Sequence, residues 1–205
     1  TNIIYKEDSV WAMDYSGGQS IFSFRQIFND AGILGRECAK SFEGGHFVVG
    51  LDDVYTHDGQ SRQSIVDTQI RDELFNSLSP TYKERTFVAP DYKNNEMWVC
   101  FVSLDNSTDA FVDKAFVWNW RNNTWSKRDL PNLSYIAWGT VDTTDSAAWT
   151  ASGTWAATTI AWNKPIRQQM LFADVNNSKI YLQGSTNQFD GTSFKSWVSK
   201  EDMAL

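Results

Sequence analysis

Hydrophobic and polar positions alternate most sharply over residues 114–131, KAFVWNWRNNTWSKRDLP. Phe116, Trp118 and Trp120 fall on one side of an extended chain, and Ala115, Val117 and Asn119 on the other. Apolar residues on both sides predict a strand packed between two layers. Arg121-Asn122-Asn123 interrupts the run. Asparagine tolerates positive φ, so this tract predicts a hairpin turn, with a return strand over 124–129 closed by Pro131. Residues 96–103 repeat the theme, Met97, Val99 and Phe101 alternating with Trp98, Cys100 and Val102.

Shorter alternating or apolar runs predict strands at 3–5, 10–14, 37–42 and 86–89, and a hairpin pairing 46–51 with 54–56 across Asp52-Asp53. Residues 21–28 fit a strand and a helix equally well, and the pattern leaves them open. The predicted helix is 64–78. Val66, Ile70 and Leu74 form a stripe flanked by Ile65 and Phe75, Asp67 follows Ser64 in a capping-box spacing, and Ser79-Pro80 ends the helix.

Asparagine pairs precede strands at Asn94-Asn95, Asn122-Asn123 and Asn176-Asn177. Strands and turns spaced 8–12 residues apart predict an all-β fold, and units of roughly 40–50 residues favour a β-propeller or partial propeller of antiparallel blades with one short helical insertion. One domain over 1–205 is expected. Residues 141–163 stand apart: they are rich in Thr, Ser and Ala, and Trp149, Trp155 and Trp162 recur at a spacing that fits neither helix nor strand. A long Trp-containing loop is expected there, and these three side chains are the candidate interface.

Composition narrows the function. Aromatic residues make up 15% of the chain, enough for a large β core. The net charge is -7, with 18 basic against 25 acidic residues and no basic stripe, which opposes general adhesion to nucleic acid. Cys38 and Cys100 have no metal-ligand spacing and are expected as buried free thiols. No run approaches the roughly 18 apolar residues of a membrane-spanning helix, and the first residues lack the features of a signal peptide. The chain begins without Met and ends Met203-Ala204-Leu205, so a longer parent subunit is expected.

No residue set announces a reaction. His57 lies near Asp58, Ser61 and Ser64, but catalytic triads converge in space rather than within one turn, so a polar hairpin end is expected. His46, which follows Gly44-Gly45, is expected to open a strand. Carboxylate pairs occur at Asp52-Asp53, Asp105/Asp109 and Asp142/Asp145, and Asp52-Asp53 is a poor catalytic pair because sequence neighbours on a strand point to opposite faces. The DNSTD tract at 105–109 lacks the Gly and Glu of a calcium loop. Gly32 to Gly35 carries no phosphate-binding ending. No catalytic residue, cofactor site or metal site is assigned.

Three stretches carry a resemblance: NDAGILGR with Cys38, HFVVGLDDVYTHDGQSRQSI running into IRDELF, and FVWNWRNNTWSKRDLPN. Over most of residues 21–197 the chain resembles the propeller region of tail-tube components of short-tailed bacteriophages, the nozzle or hub proteins also called tail tubular protein B or packaged-DNA stabilisation protein. The resemblance implies a virion part in the phage tail, a platform within a larger subunit. Copies of that subunit ring the DNA exit channel beside other tail proteins, and DNA passes without specific binding. It carries no catalytic residues. The competing reading is a carbohydrate-binding or sialidase-like propeller acting on host surface glycans, motivated by the aromatic content and by Asp190-Gly191-Thr192-Ser193-Phe194, a turn loosely like an Asp box.

Overall fold

The computed structural model describes residues 1–106, 110–141, 167–175, 178–183, 188–189 and 192–193. The fold is all-β, as expected, with one α-helix among the described residues. Its strands form antiparallel sheets in chain order. The first sheet is β1 (Asn2–Tyr5), β2 (Val10–Tyr15) and β3 (Phe22–Phe28). The second is β4 (Ala39–Phe42), β5 (Gly45–Val49), β6 (Val54–His57) and β7 (Arg62–Ser64). Helix α1 (Thr68–Ser77) and a 3-10 turn (Lys83–Arg85) lead into β8 (Phe87–Asp91), β9 (Glu96–Phe101), β10 (Val112–Asn119) and β11 (Thr124–Val141). Beyond β11 the same hydrogen-bonded sheet continues through β12 (Arg167–Asp174) to β13 (Ile180–Leu182), and β14 (Gln188–Phe189) pairs antiparallel with β15 (Thr192–Ser193). The open segment 21–28 resolves as strand, because β3 pairs with β2 from Tyr15↔Phe22 to Val10↔Phe28.

The sheets stack face to face, and the period-2 alternation of each strand supplies both layers. Val48 and Tyr55 face the first sheet, meeting Tyr5 and Phe28. Their neighbours Phe47, Val49 and Val54 face the other way, onto Val88, Met97, Val99, Phe116 and Trp118 of β8–β10. The opposite side of β8–β10, with Ala89, Trp98, Cys100, Ala115 and Val117, packs on Ile136, Met170 and Phe172. Residues 114–119 are therefore covered on both sides, as the alternation predicts. Among the described residues this is an open stack of blade-like meanders, and it closes no ring.

Strand β11 departs from expectation. It does not stop at Pro131 but runs on to Val141, pairing first with β10 and then with β12. Asp129 pairs with Lys114 and Leu133 with Val112, so three residues on β11 oppose one on β10. Pro131 sits in that bulge, where its missing N–H costs no ladder bond. Past the bulge the strand leaves β10 and lies over β8: Tyr135 rests on Phe87 with ring centroids 4.8 Å apart, and the Trp138 indole N–H donates to the Pro90 carbonyl.

The helix lies inside the expected span but starts later. Ser64 pairs with Tyr55 as part of β7, and Asp67 is the N-cap, its carboxylate accepting from the Ile70 N–H at 2.8 Å. The strand geometry of 62–64 takes Ser64 out of the capping box. Leu74 is fully buried, and Val66, Ile70 and Phe75 pack beside it on the layer between the second sheet and β8–β10. Two of the repeated asparagine pairs turn as predicted, Asn95 (φ 58°) and Asn123 (φ 51°) holding left-handed backbone. The third pair lies outside the described residues.

Candidate functional site

Trp149, Trp155 and Trp162 lie outside the described residues, as do Asp109, Asp142 and Asp145. Of the remaining candidate groups, the acids serve the loops they sit in. Asp53 accepts from its own strand at the Val54 N–H (2.9 Å) and from the Ser64 hydroxyl (2.8 Å). Asp105 is exposed and pairs with Lys114 at 3.4 Å. Among the described residues no group of three His, Cys, Asp or Glu side chains is placed to hold a metal ion. Cys38 and Cys100 are buried free thiols, as the sequence predicts. Burial pushes the Cys38 thiol up to about 12 and that of Cys100 well above its ordinary value, so both are poor nucleophiles.

The region around His57 divides in two. Asp58 to Ser61 is the expected polar hairpin end: the Asp58 carboxylate accepts from the Gln60 and Ser61 N–H groups at 2.8 and 2.7 Å, and Gly59 supplies φ 88°. His57 joins that end through Nδ1, but its ring turns inward, which the expectation of a polar hairpin end did not include. It is only 4% exposed, because its position in β6 shares the inner face with Tyr55. The hairpin register sets His46 directly opposite His57, and the two imidazoles stack with centroids 4.9 Å apart. Tyr5 reaches across from the first sheet to both rings, its hydroxyl 2.9 Å from His46 Nδ1 and 2.7 Å from His57 Nε2. Phe28 adds an edge contact at 5.5 Å.

The hydrogen bonds fix the protons of this cluster. The Gly59 N–H donates to His57 Nδ1 at 3.2 Å, so the neutral ring carries its proton on Nε2 and donates it to the Tyr5 oxygen. The Tyr5 hydroxyl then donates to His46 Nδ1. The relay joins two sheets and leaves no free base aimed at an opening. Sequence reading missed it because Tyr5 is distant in the chain. The available signal was the hairpin register, since pairing Val49 with Val54 obliges His46 to face His57.

Burial, reinforced by the neighbouring His46, depresses His57 from its ordinary 6.5 to about 4, with Asp58 pulling weakly the other way, and burial lowers His46 in the same direction. Between those values the unfolded chain takes up a proton that the folded chain refuses. Stability is therefore full above about pH 6.5 and falls as the pH drops toward 4, by roughly 3 kcal/mol at most for His57. Urea melts between pH 7 and pH 4.5 should show this loss, and His57→Gln should flatten it. An unchanged slope in the variant contradicts the assignment.

The ends of the stack are the second candidate surface. On the first sheet, Val10 and Ala12 are fully buried on the face that Val10 shares with its partners Tyr5 and Phe28, so Trp11, Met13 and Tyr15 lie on the other face, Met13 and Tyr15 with their cross-strand partners Phe24 and Phe22. Tyr15, Phe22 and Phe24 are 76%, 46% and 58% exposed. At the far end of the six-stranded sheet, Met170 and Phe172 of β12 point inward, which leaves Leu171 and Ala173 on the other face, where their cross-strand partners are Ala137, Leu182, Tyr135 and Ile180. Neither surface carries groups for bond chemistry; both suit contact with another apolar surface. The chain matches no protein-family model and no curated protein.

Proposed function

We propose that the chain is a structural, non-enzymatic module of a virion, a blade-bearing part of the tail nozzle or hub of a short-tailed bacteriophage that helps form the DNA exit conduit. The observation that carries this reading is the serial stack. Of the chemistry-bearing residues that the sequence raised as candidates, His46, His57, Asp53 and Cys38 are engaged in hydrogen bonds that hold sheets and turns together, and Cys100 is buried in the core. A stack of antiparallel sheets with apolar cores between its layers suits a structural part, because the layers hold one another in place and the end faces are left for docking. The net charge of -7 supports a conduit wall that a polyanion passes without adhering. Other tail proteins and further copies of the subunit are the partners this reading names.

Peptide mass spectrometry of density-purified, nuclease-treated particles tests it. Peptides of this chain should appear at a fixed ratio to the portal and remain after high-salt washing. Their absence from particles, together with saturable binding on a glycan array, would transfer the assignment to a carbohydrate-binding propeller.

A further inference from the structure

The first sheet meets the second through the thinnest apolar layer of the stack. Among the described residues Ala31, Val48 and Tyr55 are buried there, with Tyr5, Phe28, Ile33 and Ala39 around them. The layer on the other side of the second sheet buries Phe47, Val49, Val54, Leu74, Phe101 and Trp118 among others. The relay of His57, Tyr5 and His46 lies in the thin layer and has no spare acceptor. Its three donors are the Gly59 N–H, the His57 Nε2–H and the Tyr5 hydroxyl, and its three acceptors are His57 Nδ1, the Tyr5 oxygen and His46 Nδ1. A proton taken up at either Nδ1 adds a donor and removes an acceptor. On His57 it would face the Gly59 N–H, and on His46 the Tyr5 hydroxyl. Two protons would place like charges on rings stacked 4.9 Å apart.

The charged groups around the two rings leave an imidazolium unpaired. The Asp58 carboxylate, next to His57 in the chain, is occupied by the Gln60 and Ser61 N–H groups. Arg62 lies opposite His57 on β7 and adds positive charge, its guanidinium on Asp30 at 3.2 Å and over the Tyr55 ring. Asp53, just before β6, is held by the Val54 N–H and the Ser64 hydroxyl, and the Tyr55 hydroxyl donates to the Gly32 carbonyl. Ser41 is opposite His46 on β4. On the first sheet Asp14 and Arg25 share the face of Tyr5 and pair with each other at 3.5 Å.

We propose that this relay is an acid-sensitive latch: proton uptake by His46 and His57 undocks the first sheet as a unit from the second, while the other layers keep their packing. Undocking uncovers Val48 and Tyr55 on one side and Tyr5 and Phe28 on the other. The further tie between the segments, from the Ile33 N–H to the Lys6 carbonyl, is backbone and does not titrate, so acid acts on the relay. A His57 ring held at about 4 when docked and at its ordinary 6.5 when released favours release about thirtyfold more at pH 5 than at neutral pH.

Thiol reactivity of the 205-residue chain tests the latch, with Val10→Cys as the reporter. Val10 is fully buried between its partners Tyr5 and Phe28, and the native Cys38 and Cys100 report on the two other layers. A dipyridyl disulfide, which stays reactive in acid, is applied at about pH 7.5 and about pH 5, each rate being divided by that of a small thiol under the same conditions. The reporter should react at least about a hundredfold faster than Cys38 and Cys100 at both pH values, and its rate should rise about thirtyfold in acid. With His46→Gln and His57→Gln added, side chains that take up no proton, the rise should shrink to less than about threefold. Unchanged melts at neutral pH verify that the variants fold, and Ala12→Cys, on the same buried face, is the second reporter. Equal rates at the reporter and both native cysteines would mean that acid acts through global unfolding and would overturn the proposal. A reporter without a pH response, or a double histidine variant that keeps the full response, would overturn it as well.

Discussion

Replacing Gly32 with alanine should cost more than about 3 kcal/mol and detach the first sheet from the rest of the stack. A Cβ at this position would lie 1.7 Å from the Glu7 carbonyl oxygen and 2.6 Å from the Asp8 nitrogen, far inside contact distance and against backbone that cannot rotate away. The glycine lets two chain segments touch. Next to it the Ile33 N–H donates to the Lys6 carbonyl at 3.0 Å, and the Gly32 carbonyl accepts from the Tyr55 hydroxyl at 3.0 Å. Moving either segment to admit a methyl group breaks those bonds and separates Tyr5 from the two histidines. Urea unfolding should show the lowered midpoint, and the pH dependence assigned to His57 should shrink with it. A midpoint within about 0.5 kcal/mol of the wild type would mean that the two segments are not in contact.

Truncating Trp118 to alanine should cost about 3–5 kcal/mol, the range for deleting a fully buried aromatic ring. Trp118 is 5% exposed and stacks on Phe47 with centroids 5.5 Å apart, with Phe42 at its edge at 5.7 Å. Its indole N–H donates at 2.9 Å to the side chain of Asn123, whose left-handed backbone makes the hairpin turn. The substitution therefore opens a cavity between the second sheet and β8–β10 and also loosens the turn. Tyr92, 54% exposed, is the matched control, and its alanine variant should stay within about 1 kcal/mol. Equal losses at the two positions would contradict the layered arrangement.

Trp118 also marks what the sequence makes legible. Phe116 and Trp118 alternate with Ala115 and Val117, and apolar residues on both sides of a strand leave no solvent face, so a doubly covered strand follows from the pattern alone. The stripe of Val66, Ile70 and Leu74 is legible for the same reason, at a helical period. Strand β3 is not. FSFRQIF reads alike whether Phe22 and Phe24 face a neighbouring sheet or solvent, because period 2 assigns residues to faces and does not say what covers a face. The role of Gly32 is not legible either, because it is a close approach to Glu7 and Asp8 that depends on two segments meeting in space. The exchange of partners along β11 was hidden by Pro131, which ends a strand in most contexts and here occupies a bulge. Trp149, Trp155 and Trp162, the candidate interface in the sequence, fall outside the described residues, so the surfaces that emerge from the structure are different ones.

Amide hydrogen exchange on the intact chain tests the stacked arrangement most directly. Strands β9 and β10 lie inside the sheet and are covered on both faces, so their amides should open only with global unfolding and be the slowest in the protein. Strand β3, at a sheet edge with an exposed outer face, should exchange by local opening, faster by at least about two orders of magnitude. Comparable protection in β3 and β9, or early exchange of β9 and β10, would contradict the account.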